Sequence, residues 1–439
     1  MLCIGAFLCN RMSSKELLEL FLNSPSGVTT DTRLCKEGMI FFALKGENFD
    51  GNKYATEALA SGCVAAVVDD SYLDQIDGMI LVDDVLSSLQ NLARQYRRTF
   101  DCPVLGLTGS NGKTTTKELV TAVLDKKYRV HATKGNLNNH IGVPLTILSA
   151  PKDTELLVVE MGANHIGEIA SLCSIAEPTC GLITNIGRAH LEGFGGIEGV
   201  KKGKGELFDY LRSNNDSIAF VNSNHESLLE ISDGLERVLY GTKEHDPFAW
   251  FVEGEERKIV WSKGGVNSSV LTVQLEGDYN LENITTAITI GLHFGVDQID
   301  IGYAISEYMP TNNRSQTIKT NQNTVLLDAY NANPSSMTGA LESFAKNIEG
   351  KKLVVLGDMR ELGRYSHEAH KEIVGLCERL NLESVFVGEE FYAVADGDSR
   401  FYASVEDLKS VWEAELMSGY TVLLKGSRGM RMEQLLPLL

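Results

Sequence analysis

A glycine-rich loop that follows a short apolar run is the segment of this sequence best suited to chemistry. Residues 104–107 are apolar, and the loop after them consists of Thr108, Gly109, Ser110, Asn111, Gly112, Lys113, Thr114 and Thr115. Glycines allow several backbone N–H groups to converge on one anion, and the N-terminus of a following helix adds partial positive charge. Lys113 could then reach the β- and γ-phosphates, and the Thr114 hydroxyl could bind Mg²⁺. The loop therefore predicts a nucleoside-triphosphate site. A plain glycine turn before a helix is the alternative, because residue 107 is Leu and the strict G-x-x-x-x-G-K-[ST] spacing is not met.

Two residues with metal-binding side chains follow other predicted strands. Glu160 ends the apolar run 156–159, and His190 comes soon after the run 179–184. The carboxyl ends of strands in an open α/β sheet face the ligand crevice, so we expect both side chains on that rim. An ion pair at the strand end is the alternative for Glu160, and a purely structural histidine is the alternative for His190.

Amide-rich loops form a third group. Residues 135–144 place Asn138 and Asn139 between glycines, which suits a sugar or peptide ligand; capping of local backbone by the asparagines is the alternative. A second polar segment, residues 328–334, follows a predicted strand near the C-terminus. Lys425 and Arg428 add two cations beside the final predicted strand.

The elements that must position these residues follow an α/β pattern. Short apolar runs alternate with helical periodicity along most of the 439 residues, which are enough for two or three domains. We predict a small α/β domain over residues 1–100, a domain with a mostly parallel sheet over 101–312, and a Rossmann-like domain over 313–439. Residues 248–276 alternate apolar and polar side chains, which predicts antiparallel strands at the edge of the middle sheet.

Composition limits the partners and the compartment. A formal charge of −19 argues against nucleic acid and against insertion in an anionic membrane, because both would repel the chain. The eight cysteines contain no C-x-x-C pair, so neither a zinc site nor a disulfide framework is expected, and a reducing cytoplasm fits. Residues 1–9 are apolar but too few to span a bilayer, and Met12 is a better start. We interpret residues 1–11 as a possible upstream extension.

Seven segments occur in one order and resemble the Mur ligase family of peptidoglycan synthesis. They read T-G-S-N-G-K-T-T, G-N-L-N-N-H-I-G-V-P, E-M-G-A-N-H-I-G-E-I, T-N-I-G-R-A-H-L-E-G-F, D-A-Y-N-A-N-P-S-S-M, G-D-M-R-E-L-G and K-G-S-R-G-M-R-M-E. The match runs from about residue 28 to the C-terminus. Within the family, Y-N-A-N-P and G-D-M-R-E-L-G resemble the branch that adds D-alanyl-D-alanine.

The resemblance implies three domains, which bind a UDP-sugar, ATP and an incoming amine. It implies an ATP-dependent amide ligase that joins D-alanyl-D-alanine to UDP-N-acetylmuramoyl-tripeptide through an acyl phosphate. We expect a monomer in the cytoplasm. Two Mg²⁺ ions are expected: one on Thr114, and a second held by Glu160, His190 and a carbamylated Lys204.

The remaining implied roles belong to nucleotide and substrate contacts. Those on the nucleotide side are Asn280, Asn283, Arg314 and Asp328. Those on the substrate side are Asp31, Arg33 and Lys45 for the UDP portion, Asn138 and Asn139 for the muramoyl-peptide, and Tyr330, Asn331 and Asn333 for D-alanyl-D-alanine.

Two segments depart from the family pattern, and two other functions remain open. Tyr279 stands where relatives often have the His of a G-x-H-N segment, and the acid of a common N-x-D pattern is replaced by Asn224. Another ligase of the family, of the amino-acid-adding or folylpolyglutamate type, is the nearer alternative. A nucleotide-dependent switch without ligase chemistry is the more distant one.

Overall fold

The computed structural model describes residues 12–310, 313–412 and 418–439, and its chain forms two compact units. The first unit comprises residues up to Gly106 together with His131–Met161 and Ala170–Pro178, and the second comprises Leu107–Val130, Gly162–Ile169 and Thr179–Leu439. The extension predicted over residues 1–11 lies outside the described residues. Within the part of the chain that is described, no helix is long and apolar enough to cross a membrane.

The N-terminal segment is a small parallel α/β layer. Its strands are β1 (Val28–Thr29), β2 (Ile40–Phe42), β3 (Lys45–Gly46), β4 (Phe49–Asp50), β5 (Ala65–Val68) and β6 (Met79–Leu81). Its helices are α1 (Ser14–Asn23), α2 (Ala55–Ala60) and α3 (Val85–Arg97). Ser13 and Glu16 form a capping box that starts α1. The order β1-β2-β5-β6 is parallel throughout, and β3 and β4 form a separate hairpin.

The middle segment is built on a six-stranded sheet with the order β12-β11-β10-β7-β9-β8. Its strands are β7 (Val104–Thr108), β8 (Val130–Ala132), β9 (Leu156–Glu160), β10 (Cys180–Ile183), β11 (Ile218–Asn222) and β12 (Glu236–Tyr240). Its helices are α4 (Lys113–Leu124), α5 (Gly142–Leu148), α6 (Glu168–Ala176), α7 (Leu191–Phe194), α8 (Ile197–Arg212) and α9 (Glu226–Ile231). Every residue of β7, β9 and β10 is buried, as expected of strands covered on both faces.

Residues 248–272 form a separate antiparallel sheet, so the prediction that they extend the edge of the middle sheet is wrong. The strands are β13 (Phe248–Val252), β14 (Glu255–Lys263), β15 (Val266–Asn267) and β16 (Leu271–Thr272). Strand β14 pairs with β13, β15 and β16, whereas the end strand of the middle sheet, β12, pairs with β11. Alternating hydrophobicity identifies a strand with one buried face but carries no information on its pairing partner. Helices α10 (Asn280–His293) and α11 (Gln298–Glu307) follow.

The C-terminal segment has the predicted Rossmann-like arrangement. Its strands are β17 (Gln316–Lys319), β18 (Thr324–Asp328), β19 (Lys351–Gly357), β20 (Glu383–Val387), β21 (Phe401–Tyr402) and β22 (Tyr420–Lys425). Its helices are α12 (Pro334–Asn347), α13 (Ser366–Arg379), α14 (Glu389–Tyr392) and α15 (Val405–Trp412). The order is β17-β18-β22-β19-β20-β21, with β17 antiparallel to β18 and the other pairs parallel. The carboxyl ends of β18, β22 and β19 therefore lie side by side.

Candidate functional site

The phosphate loop joins buried strand β7 to helix α4 through two glycines whose replacement would be strained. Gly109 has φ +143° and Gly112 has φ +77°, a region of backbone conformation that favours glycine. A Cβ on Gly109 would overlap the Thr184 hydroxyl, and a Cβ on Gly112 would lie 2.5 Å from Oδ1 of Asn283. Both glycines are thus required by the backbone and by the close approach of neighbouring side chains.

The segment after β10 holds the loop in shape. The backbone N–H of Ser110 donates to the Asn185 carbonyl at 3.0 Å, and that of Asn111 donates to Oδ1 of Asn185 at 3.0 Å. The Thr184 hydroxyl donates to the Asn111 carbonyl at 2.6 Å. Ser110 Oγ exchanges hydrogen bonds with both the carbonyl and the N–H of Gly187. These bonds hold the phosphate loop in one conformation at the start of α4.

Lys113 and Thr114 are the first two residues of helix α4, directly after Gly112. The Lys113 Nζ donates to the carbonyls of Gly109 and Ser110, at 2.6 and 3.2 Å. The ammonium group is thus folded over the loop, and Thr114 is buried beside it at the first turn of the helix. A cation and a hydroxyl at the N-terminus of one helix are the groups that bind a polyphosphate and its metal.

A buried polar chain joins α4 to the C-terminal segment through the asparagines of α10. Oδ1 of Asn283 accepts from the Thr116 hydroxyl at 3.0 Å, and its Nδ2 donates to Oδ1 of Asn280 at 2.8 Å. Asn280 donates in turn to Oγ of Ser315, whose N–H donates to Asp328 at 3.4 Å. The structure thus brings the predicted nucleotide residues Asn280, Asn283 and Asp328 together in one network.

Tyr279 occupies the position next to these asparagines. Its hydroxyl lies 2.9 Å from Oγ of Ser315, and burial raises the pKa of the phenol well above its usual value. The ring therefore stands as a neutral, buried side chain at the edge of the polar chain.

Asn333, just before α12, contacts the phosphate loop, and Ser335 of α12 contacts the segment that follows β10. Nδ2 of Asn333 donates to Oδ1 of Asn111 at 2.7 Å. The N–H of Arg188 donates to Oγ of Ser335 at 2.9 Å, and the Arg188 guanidinium pairs with Glu372 at 2.6 Å. One of the three predicted amine-side residues, Asn333, thus contacts the loop itself.

His190 is held by a carboxylate from the C-terminal segment. Its backbone is left-handed, with φ +52°, and its Nδ1 is in contact with a carboxylate oxygen of Glu361. The hydrogen bond from His190 lowers the pKa of Glu361. The N–H of Glu192 also donates to the Glu361 carbonyl at 3.2 Å, which fixes the position of the glutamate. The opposite ring nitrogen, Nε2, is the one that faces away from this pair.

Lys204 is fully buried in helix α8, with 0% of its surface exposed. Its Nζ donates to the Ala163 carbonyl at 2.9 Å and lies 5.0 Å from the centroid of the Phe194 ring. Burial, reinforced by the positive charge of Lys113, lowers the pKa of Lys204 well below its usual value. The neutral amine is the nucleophilic form of lysine, and it is the form that this environment favours.

In the first unit, Glu160 ends β9 with 1% of its surface exposed. Its Oε1 accepts from Nδ2 of Asn138 at 2.8 Å, and its N–H donates to Oγ1 of Thr133 at 3.0 Å. Oδ1 of Asn139 accepts from the backbone N–H groups of residues 141 and 142. Asn138 thus orients the glutamate, whereas Asn139 uses its side-chain oxygen for the local turn.

The other predicted substrate residues of the first unit are arranged in pairs. Asp31 accepts from the N–H of Arg33 at 3.0 Å and forms an ion pair with the exposed Arg33 guanidinium. Lys45 forms an ion pair with Asp69 at 2.8 Å. The first pair presents a guanidinium to solvent, which is a suitable group for a phosphate or a uracil carbonyl.

Tyr330 lies against two guanidinium groups in the second unit. The Arg314 Cζ is 3.7 Å from the centroid of the Tyr330 ring, and the Arg428 Cζ is 5.1 Å from it. Oδ1 of Asn331 accepts from the next backbone N–H, so that side chain has a local structural role. Lys425 is buried and bonded to Asp328, its partner in the register of β18 and β22.

Acidic, histidine and cysteine side chains that gather at one place could hold a metal ion. Among the described residues, no group of three or more His, Cys, Asp and Glu side chains could hold a metal ion. The predicted ligand set contains a threonine hydroxyl and a modified lysine, so it would not form such a group. The metal ligands Thr114, Glu160, His190 and Lys204 therefore stay a prediction.

Several residues that build the site carry no assignment from the sequence. They are Thr116, Asn185, Ser315, Ser335 and Glu361. A sequence signal exists for Glu361, which lies in the segment G-D-M-R-E-L-G, although the motif by itself gives it no role. The others are short polar side chains whose contacts depend on tertiary folding.

Comparison with known proteins gave matches along nearly the whole chain. The family models for the Mur ligase catalytic domain, the Mur ligase middle domain and the Mur ligase glutamate ligase domain match residues 25–97, 107–291 and 313–428. The chain is 36% identical to the UDP-N-acetylmuramoyl-tripeptide--D-alanyl-D-alanine ligase of Bacillus subtilis (strain 168), covering 93% of this chain and 92% of that protein. The ligase of the same name from Escherichia coli (strain K12) is 34% identical, with 93% and 92% covered.

Solved structures give the same result. A crystal structure of MurF from Acinetobacter baumannii has a TM-score of 0.85 and 29% identity, covering 96% of this chain and 97% of that one. The crystal structure of MurF ligase from Thermotoga maritima in complex with ADP has a TM-score of 0.81 and 29% identity, with 94% and 96% covered. The similarity therefore extends over all three segments of the fold.

Proposed function

The chain belongs to the Mur ligase family, and we infer that it is the ligase that joins D-alanyl-D-alanine to UDP-N-acetylmuramoyl-tripeptide with hydrolysis of ATP. The observation that carries this inference is the polar chain from Thr116 through Asn283 and Asn280 to the strand end at Asp328. It links helix α4, which follows the phosphate loop, to the strand end that precedes the Y-N-A-N-P sequence, and both lie in the second compact unit. The amino-acid-adding and folylpolyglutamate alternatives are not favoured by the named relatives.

The reaction requires an activated carboxylate, because a carboxylate oxygen is not a usable leaving group at neutral pH. Transfer of the γ-phosphoryl group to the terminal carboxylate of the tripeptide forms an acyl phosphate and ADP. The amine of D-alanyl-D-alanine then attacks the acyl carbon, and phosphate leaves as the amide forms and the amine loses a proton. Lys113 and the N–H groups of the first turn of α4 would stabilise the negative charge on the transferring group.

The residues proposed for Mg²⁺ fit this metal in chemistry. Thr114 offers a hydroxyl and Glu160 offers a carboxylate. His190 offers its Nε2, because its Nδ1 contacts Glu361. Histidines that bind a metal commonly have such a carboxylate at the other ring nitrogen. Nucleophilic addition of the Lys204 amine to carbon dioxide, with loss of one proton, would give a carbamate with carboxylate oxygens. When bound, two Mg²⁺ ions would supply further charge neutralisation at the phosphoryl group.

We propose the substrate contacts as predicted from the sequence, except for two asparagines. We assign the UDP portion to Asp31, Arg33 and Lys45, and the dipeptide side to Tyr330 and Asn333. Asn138 orients Glu160, while Asn139 and Asn331 support local backbone, which favours structural roles for those two asparagine oxygens. We further expect a monomer in the cytoplasm.

Phosphate release from ATP tests the assignment. Purified protein is given UDP-N-acetylmuramoyl-tripeptide and D-alanyl-D-alanine, each component is omitted in turn, and Lys113→Ala serves as the inactive control. Release that needs both substrates, with a UDP-pentapeptide product, is the expected result. Phosphate release with a different amine would indicate another amide ligase of the same family. Release that needs neither substrate would favour a nucleotide switch.

A further inference from the structure

Two exposed arginines stand at the carboxyl ends of adjacent strands in the C-terminal sheet. Arg360 follows β19 and Arg428 follows β22, and these strands are paired in parallel. The Arg428 guanidinium lies over the ring of Tyr330, which follows the neighbouring strand β18. We call Arg360 and Arg428 the arginine pair.

Two hydrogen bonds fix the loops that carry the arginine pair. The N–H of Ser427 donates to the Asp358 carbonyl at 3.1 Å, and the N–H of Arg360 donates to Oγ of Ser427 at 3.1 Å. The Arg360 guanidinium packs against the second loop, since a Cβ added to Gly429 would lie in ordinary contact, 3.4 Å, with Cζ of Arg360. The two guanidinium groups are therefore held on one face of the sheet end by backbone that is itself anchored.

The arginine pair has no anionic partner in the described part of the chain. Neither guanidinium forms an ion pair with a described carboxylate, and the nearby Asp328 is already bonded to Lys425. A third cation, Arg314, packs on the same Tyr330 ring, and its buried Nε has no hydrogen-bond partner among described atoms. Like charges repel, and the one nearby carboxylate named here, Asp328, is paired with Lys425, so the positive groups favour an anionic ligand at this place.

We propose that Arg360 and Arg428 bind the terminal carboxylate of D-alanyl-D-alanine and so set which end of the dipeptide reaches the acyl phosphate. This inference rests on the proposed function. Guanidinium groups pair with carboxylates through two parallel hydrogen bonds. A dipeptide spans about 7 Å when extended, so a fixed carboxylate limits where its amine can lie. Asn333, which contacts the phosphate loop, follows β18 in the same group of strand ends.

The test removes the negative charge of the dipeptide carboxylate, and separately the charge of each arginine. Initial rates are measured for the native protein with D-alanyl-D-alanine and with D-alanyl-D-alaninamide, which keeps the amine but lacks the negative charge. We expect kcat/KM to fall about 10- to 100-fold for the amide, as for the loss of a charge-assisted hydrogen bond. Arg428→Gln and Arg360→Gln should lose a similar factor with the acid, mainly through the KM of the dipeptide, and little with the amide.

Arg379→Gln is the matched control, because it removes the same charge from an exposed site on helix α13 of the same segment. Arg379→Gln should leave kcat/KM unchanged for both the acid and the amide. Arg428→Lys should retain part of the kcat/KM for the acid that Arg428→Gln loses. Equal kcat/KM for acid and amide in the native protein would overturn the proposal. So would variants that lose the same factor with both substrates, or that raise the KM of ATP, since the anion would then be a phosphate. Absence of any product from D-alanyl-D-alanine in the native protein would instead refute the proposed function.

Discussion

Replacement of Gly112 by alanine tests whether the phosphate loop is held by side-chain contact as well as by backbone conformation. Gly112 has φ +77°, and an added Cβ would lie 2.5 Å from Oδ1 of Asn283. Gly234 is a matched control, because it also has φ +77°, but a Cβ added there would have no described atom within 4 Å. Both substitutions lower the entropy of the unfolded chain equally, so that contribution cancels in the comparison.

The structure gives a magnitude for each variant. An alanine in the left-handed region costs about 1–2 kcal/mol, which is the expected loss for Gly234→Ala. In Gly112→Ala the Asn283 amide must also move, which disturbs its hydrogen bonds with Thr116 and Asn280. Two buried hydrogen bonds contribute about 0.5–1.5 kcal/mol each, so Gly112→Ala should be less stable than Gly234→Ala by about 1–3 kcal/mol.

Equilibrium urea unfolding measures this difference through the shift in midpoint at a constant m-value. Asn283→Ala supplies a second comparison: in that background, Gly112→Ala should cost no more than Gly234→Ala does, because the blocking amide is gone. ATP affinity should fall in Gly112→Ala and stay unchanged in Gly234→Ala. Equal midpoint shifts for the two glycine variants would refute the reasoning, since they would mean that Asn283 makes room without loss.

Three further predictions concern charged partners. Glu361→Gln removes the carboxylate that orients His190, so Mg²⁺ affinity should fall about 10- to 100-fold. Metal titration of ATP-dependent turnover and calorimetry measure this affinity. An unchanged affinity would mean that His190 is not a ligand of the metal. Lys204→Ala should abolish turnover without unfolding, and short carboxylic acids should restore part of it; failure of rescue would count against a carbamate. The hydrogen bond to Glu282 raises the pKa of His225 above 6.5, so this pair stabilises the folded chain fully below the unfolded pKa and less as pH rises through the folded one. His225→Gln should therefore lower the free energy of unfolding by about 0.2–1 kcal/mol at pH 6 and by almost nothing at pH 9, and a constant difference would contradict the assignment.

The α/β architecture could be predicted from the sequence because its signals are local. Fully apolar runs such as 156–159 identify strands buried on both faces, and helical periodicity between them indicates a parallel sheet. For residues 248–272 the alternation predicts strands correctly, but the predicted placement at the middle sheet is wrong. Their pairing depends on tertiary folding, which alternation along one strand does not encode.

The candidate site was predictable where one short segment contains the chemistry. The phosphate loop holds its glycines, lysine and threonine within a few residues, and each has a physical reason to be there. Glu361 could not be assigned, because its partner His190 lies in another segment and only the folded chain brings the two together. Lys425 stands in the sequence as a cation beside the final strand, but its register position opposite Asp328 commits it to an ion pair.

The bonds between the phosphate loop and the C-terminal segment bear on how inhibitors should be sought. Asn111 and His190 each have a partner, Asn333 and Glu361, supplied by residues beyond 313. A fragment that ended at residue 312 would lose these partners, and Asn111 and His190 would contact solvent in their place. Compounds selected on such a fragment would be fitted to a surface that the complete chain does not present. Screening should therefore use the full-length protein.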